Sequence, residues 1–330
     1  MGFAAKPRTR SVIRPSPSFA RRRLLVAGGA GFAAAIAHAL TSQSATNTAF
    51  GSDQSEPQRF GDDFCVPRLF CTAYVTPGVA DQSGQEAVVA RYPLALVPQD
   101  DRAQFVGWRD RIRHLNPSIV MLGYQQVIEE TTVPGPGHDE LRKADDAWVQ
   151  YPGGVTARVP SNAGRALRIY DPRSRQWQSR FLAACRATLE SYSFDGLFLD
   201  QCTVFRRAYL SEESGAEMRE ALQETLLRLR AEHPHAVLVG NSSHHWAGLN
   251  GELNEGRPND LQSACAPYPG HARPELTLYQ SLVPDPGAVA LVEREMAAAH
   301  RCGAFYGVAT DYQHVLWYDM FDHVSRSCTR

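Results

Sequence analysis

Short apolar runs alternate with longer amphipathic stretches from about residue 69 onward, which is the signature of strands and helices taking turns. Eight runs read as strands: Leu69 to Val75, Tyr92 to Val97, Ser118 to Tyr124, Gly196 to Asp200, Ala236 to Asn241, Gly251 to Glu255, Leu276 to Leu282 and Ala304 to Thr310. Between them, apolar residues recur at helical spacing over 102–115, 175–192, 213–232 and 286–302. In the second of these the apolar stripe is Trp177, Phe181, Leu182 and Leu189. Eight strands with intervening helices predict an α/β fold of the (β/α)₈ TIM-barrel type. The barrel is expected to be irregular. About fifty residues rich in Pro and Gly follow the third strand, a length that marks a functional loop or disorder. The crossover after strand six, around Arg257 to Pro274, is poor in helical pattern.

The amino terminus breaks this rhythm. Residues 1–40 carry seven bases and no acid, and Arg21-Arg22-Arg23 opens onto a run rich in Ala and Gly. Charged head, apolar run and the small-residue site Ala37-His38-Ala39 have the layout of a secretory signal, and Arg21-Arg22-x-Leu24-Leu25 resembles the twin-arginine type. Export is therefore expected, with no stable membrane insertion once the signal is removed. Residues 41–66 are polar, lack periodicity and read as a linker, with the barrel over 67–330. A loose dinucleotide fingerprint at Gly29–Ala34 is discounted, because Thr41 to Ser55 contains no helix leading to a second strand.

Formal net charge is −1, but the chain beyond residue 40 holds 27 basic against 35 acidic residues. An acidic body without a basic stripe argues against a nucleic-acid partner, since phosphate binding depends on Lys and Arg. The seven cysteines include no CxxC pair, which leaves zinc-finger and thioredoxin chemistry without support. In an exported chain Cys65 and Cys71 are candidates for a local bridge, and Cys302 or Cys328 for a tie on the tail.

Catalytic residues of TIM barrels sit at the carboxyl ends of the strands. That rule selects Tyr124, Gln125, Asp200, Asn241, Glu255, Tyr279, Asp311 and Tyr312, with Trp246 and Asp171 nearby. Carboxylates, amides and aromatic rings suit sugars, which offer donors, acceptors and apolar faces. Two stretches also match each other: Asp195-Gly196-Leu197-Phe198-Leu199-Asp200 and Asn250-Gly251-Glu252-Leu253-Asn254-Glu255. Each is a polar residue, a glycine, a strand and a terminal acid. The expectation is a pair of carboxylates that cleaves a glycosidic bond, with Asp200 as nucleophile or base and Glu255 as proton donor. Glu252 is the rival for the second position, because a shift of one residue exchanges the strand's faces. Tyr124, Gln125, Asp171, Asn241, Trp246, Tyr279, Asp311 and Tyr312 are the expected substrate contacts, Asp171 being also a candidate helix-opening acid. No metal or other cofactor is expected: His233-Pro234-His235 precedes its strand, and His244 and His245 have no ligand set of usual spacing around them. No G-x-S-x-G, P-loop or HExxH occurs.

The order Asn116-Pro117-x-Ile119-Val120-Met121-Leu122-Gly123-Tyr124, then Asp171-Pro172 with Trp177, then Phe194-Asp195-Gly196-Leu197-Phe198-Leu199-Asp200 resembles a bacterial glycosyl hydrolase group of (β/α)₈ barrels similar to the endo-α-1,4-polygalactosaminidases. The resemblance spans about residues 70–315. It implies a glycosidase acting on an oligo- or polysaccharide, with the acid closing strand four and one on a later strand as the working pair. Two other readings are a catalytically inactive carbohydrate-binding barrel and a metal-dependent hydrolase using His244, Asp200 and Asp311.

Overall fold

The computed structural model describes residues 64–329 apart from 74–84, 100–102, 132–133, 161–165, 205–210, 242–244, 256–267, 284 and 311–314. The expected signal, most of the expected linker, His244, Asp311 and Tyr312 lie outside the described residues.

The strands are β1 (Phe64–Pro67), β2 (Phe70–Thr72), β3 (Leu94–Val97), β4 (Val120–Gln126), β5 (Gln150–Tyr151), β6 (Val155–Thr156), β7 (Arg158–Pro160), β8 (Ala166–Arg168), β9 (Gly196–Asp200), β10 (Val237–Asn241), β11 (Gly251–Glu255), β12 (Leu278–Leu282), β13 (Phe305–Ala309) and β14 (Arg326–Thr329). Eight of them form one parallel sheet in the order β2-β3-β4-β9-β10-β11-β12-β13. A parallel bridge between Leu69 and Tyr306, and a 2.9 Å bond from the Tyr306 N–H to the Arg68 carbonyl, bring the last strand back to the first. The result is a TIM-type α/β barrel, and all eight expected strands are present. The helices Ala103–Leu115, Arg175–Tyr192, Glu212–Glu232 and Val289–Arg301 fall on the four periodic stretches.

Alternation along the strands divides the core in two. Phe70, Leu94, Leu96, Val120, Leu122, Phe198, Val237, Val239, Leu253, Leu278 and Phe305 fill the barrel interior. The intervening residues, such as Leu197, Leu199 and Leu238, pack outward against helix residues such as Trp177, Phe181, Leu222 and Leu226. Because side chains alternate with period two, one inward residue per strand fixes the direction of the residue at its end.

The matching stretches do the same structural work twice. The Asp195 carboxylate accepts from the Met121 N–H at 2.9 Å and from Arg113 at 3.1 Å. The Asn250 side-chain oxygen accepts from the Leu238 N–H at 2.8 Å and from Arg230 at 2.7 Å. Each polar residue thus caps the neighbouring strand and anchors an arginine from the helix before that strand. The following glycines, Gly196 and Gly251, admit the next strand closely. A Cβ at either would lie 1.9 Å from a backbone oxygen, of Val237 and of Leu276 respectively.

The described residues after β4 are structured. They contain the helix Pro136–Arg142 and two antiparallel pairs, β5 with β6 and β7 with β8. Their apolar side chains join the outer core, and Trp148 stacks on Tyr170 with ring centroids 4.1 Å apart. At the other end, β1 pairs with β14, placing Cys65 opposite Cys328. Phe64 to Val66 therefore belong to a strand, although they fall within the stretch 41–66 expected as linker. The expected Cys65–Cys71 bridge is corrected: Cys71 is a free, buried thiol, while Cys65 and Cys302 are each disulfide-bonded. Cys71 lies in a parallel strand at the barrel wall, with its side chain in the outer core, so it cannot close a local loop.

Candidate active site

Parity carries Tyr124, Gln126, Asp200, Asn241 and Glu255 to the inside of the carboxyl-terminal rim, since each lies two residues beyond an interior residue or one further pair along. The register places Gln126 opposite Asp200. β4 runs two residues further than the sequence pattern suggests, and this brings Gln126 to the rim.

Asp200 is the centre of the cluster. One carboxylate oxygen accepts from the Tyr124 hydroxyl at 2.6 Å. The other accepts from the Asn241 amide and from the Gln201 N–H, both at 2.8 Å. Gln201 reaches that position with φ = 55°, a left-handed conformation that non-glycine residues adopt at a cost and that is common where an active site holds a group in place. The same Asn241 nitrogen lies 3.5 Å from a Glu255 oxygen. Two oxygens on one nitrogen at these distances are at most about 6.3 Å apart, the scale on which glycosidases hold their two acids. The Tyr124 hydroxyl also lies 2.5 Å from the Gln126 side-chain oxygen position. A phenol has one proton; given to Asp200, it leaves the phenol oxygen to accept from the Gln126 amide.

Burial pushes the Asp200 carboxyl above its ordinary pKa, and the three hydrogen bonds to it offset only part of that. Burial and the adjacent Asp200 charge likewise push the Tyr124 phenol well up, so it stays a donor. A third carboxylate belongs here. Glu129, 8% exposed, carries no ion pair or side-chain hydrogen bond among the described residues. Burial, and then repulsion from Asp200, raise its pKa to about 7. A backbone bridge to Ile169 fixes it to the stretch after β4, while its neighbour Glu130 turns to Arg168 at 2.6 Å. The strand-end rule passes over Glu129 because it lies beyond the end of β4. The one signal in the sequence is a pair of adjacent acids after an apolar run, of which only one finds a cation.

Glu129 makes a pH-dependent prediction. A carboxyl whose folded pKa lies above its unfolded value binds its proton more tightly when folded, so stability falls as pH rises from about 4.5 to 7. Allowing for solvent reaching the rim, the loss is about 1–2 kcal/mol. Glu129→Gln is expected to match the parent in urea unfolding at pH 5 and to exceed it at pH 8. An equal effect at both pH values would refute the assignment.

Three expected contacts are corrected. Gln125 has outward parity and is fully buried, with its amide bonded to Gln99, Thr188 and the Gln126 carbonyl at 2.9–3.0 Å. Tyr279 also points outward, into a cluster with Val292, Ala299 and Tyr306. Trp246 is 4% exposed and donates its indole N–H to the Cys202 carbonyl at 2.7 Å, so its ring is core and offers no stacking face. Asp171 is held by Arg173, through Nε at 3.0 Å and Nη2 at 2.9 Å, just before the helix Arg175–Tyr192. It is the turn acid that its position before Pro172 allows. Glu252 is separated from Glu255 by strand parity: Leu253 lies in the barrel interior, so Glu255 faces the rim and Glu252 the outer wall.

No protein-family model and no curated protein sequence matches the chain. Solved structures do. The glycoside hydrolase domain of PelA from Pseudomonas aeruginosa superposes with a TM-score of 0.52 at 15% identity, over 76% of this chain and 97% of that one. TtGalA, an α-galactosidase from Thermus thermophilus solved with stachyose, gives 0.54 at 14% identity over 79% and 64%. The α-L-fucosidase isoenzyme 2 from Paenibacillus thiaminolyticus gives 0.53 at 10% over 78% and 47%. At such identities the likeness establishes a common (β/α)₈ fold, and these barrels are glycosidases.

Proposed function

We propose that this protein is a glycoside hydrolase that cleaves a polysaccharide with Asp200 as nucleophile or base and Glu255 as proton donor. The observation that carries the reading is the convergence of the two carboxylates on the Asn241 amide at the carboxyl-terminal rim. Cleaving a glycosidic bond needs one group to protonate the leaving oxygen and another to attack, or to activate water, from the opposite side. Asn241 and Tyr124 hold Asp200 in one orientation, and the Tyr124 proton stabilises its charged form. Glu129, protonated near neutrality, adds a donor for a sugar hydroxyl at the same opening.

No helix among the described residues is long and apolar enough to cross a membrane. The basic head and apolar run of residues 1–40 support export by the twin-arginine route and a substrate outside the cytoplasm.

The test is release of new reducing ends from a panel of secreted bacterial polysaccharides by the purified protein, with the Asp200→Asn variant as the blank. Reducing ends at the rate of the blank across neutral, acidic and amino-sugar polymers would remove the hydrolase reading. Tight binding of one polymer without cleavage would make the chain a carbohydrate-binding barrel.

A further inference from the structure

The outer wall of the barrel carries a second cluster that the proposed hydrolysis does not use. Glu252 projects outward from β11, 5% exposed. One of its oxygens lies 3.0 Å from His245 Nδ1, and the other lies 3.7 Å from His271 Nε2 and accepts from the Trp246 N–H at 3.1 Å. The ligand-type atoms of His245, Glu252 and His271 all lie within 4.8 Å of one another. Both ring nitrogens are buried and make no hydrogen bond. The His271 side chain is 3% exposed, so its Nε2 faces the Glu252 carboxylate at 3.7 Å, an ion-pair contact too long for a hydrogen bond. A buried polar atom held that far from its partner is costly unless something fills the gap.

We propose that His245, Glu252 and His271 form a divalent-metal site of the zinc type, which fastens two strand-to-strand crossovers to the barrel wall. Two imidazoles and one carboxylate are a recurrent donor set for zinc, with a fourth position left to water. A tetrahedral ion with bonds of ~2.0–2.1 Å needs donors about 3.3–3.4 Å apart, and the three ligand atoms, within 4.8 Å of one another, reach that spacing with small side-chain movements. The outer shell is built as well. The second nitrogen of His271 lies 3.1 Å from Glu275, whose carboxylate is fixed by the Tyr268 N–H at 3.2 Å and by Arg273 at 3.0 Å. A carboxylate behind a ligating histidine sets its tautomer and aims the free nitrogen at the ion.

The position gives the site its purpose. In a regular barrel a helix covers each strand-to-strand connection, but the described parts of 242–250 and 256–277 contain none. His245 comes from the first crossover and His271 from the second, and Glu252 lies on the strand between them. The two crossovers already touch through Gly248 N–H to Gly270 carbonyl at 3.1 Å and Ala272 N–H to Leu249 carbonyl at 2.7 Å. One ion bound at this point would crosslink both to the sheet. The three donors are far apart in the chain and follow no motif spacing, so they leave no local sign in the sequence, and only the fold brings them together.

The test uses the full chain, freed of metal with a chelator and then given zinc or cobalt(II). About one equivalent of zinc is expected by elemental analysis, with the visible absorption of four-coordinate cobalt(II) and a Tm rise of roughly 5–10 °C on metal addition. Glu275→Gln should weaken zinc about 10–100-fold through the outer shell. His271→Ala should abolish stoichiometric binding; His245→Ala, at a ring 34% exposed, provides the same test if the buried variant does not fold. No cobalt band together with an unchanged Tm, or His245→Ala retaining parental affinity, would overturn the site. Neither result would bear on Asp200 and Glu255, whose test is glycan turnover at a temperature below both Tm values.

Discussion

Asp200→Asn and Glu255→Gln are each expected to lower kcat on a cleaved glycan by about 10³-fold or more, while the affinity for that glycan changes little. Both substitutions keep shape and remove only the ability to carry a full negative charge or exchange a proton. In Asp200→Asn the side-chain oxygen still accepts from Asn241 and Gln201. Stability should be retained or rise, because the lost charge is one that burial disfavours. The measurement is initial rates with binding isotherms on the same polymer. A variant that keeps a tenth or more of parental kcat would free that residue from the catalytic pair. The anomeric form released, followed by NMR, then separates attack by Asp200 from activation of water by it.

Gly251→Ala and Gly196→Ala are expected to cost roughly 3 kcal/mol or more each, despite adding one methyl group. Added Cβ atoms would meet the Leu276 and Val237 carbonyl oxygens at 1.9 Å, and backbone in a central strand cannot rotate away as a side chain can. The sheet would have to open between β11 and β12 or between β9 and β10. Because β11 carries Glu255, Gly251→Ala should also lose activity, but together with thermal stability rather than in place of it. Urea unfolding distinguishes this from the catalytic substitutions; an unchanged midpoint in both glycine variants would show that the strands do not approach so closely.

Much of the barrel was legible in the sequence. The runs at 196–200 and 251–255 match their strands residue for residue, because Gly opens each, an acid closes it and the polar residue before each glycine has a capping partner. The helix over 175–192 is equally clear, with Ser174 accepting from the Trp177 N–H at 3.3 Å to start it. Side-chain direction was less legible. Gln125 follows the last residue of its expected strand and Tyr279 falls in the middle of its own, and period-two alternation turns both outward, an assignment that a one-residue uncertainty in strand extent is enough to reverse. Trp246 carries no local sign that its indole finds the Cys202 carbonyl. Glu129 is invisible to a rule that stops at the strand end, since its place at the rim comes from the bridge to Ile169, forty residues away in the chain.

What the sequence alone determined is the set of local structures: eight strands, four long helices, the two capped glycine turns and the acids that close β9 and β11. These follow from periodicity and from hydrogen bonds or steric demands that each residue type brings with it. Only the tertiary structure decided which acids share an amide, which rings are core, and which histidines meet across the outer wall. Those contacts join residues distant in the chain, and their geometry depends on register and closure of the whole sheet, which no short stretch encodes.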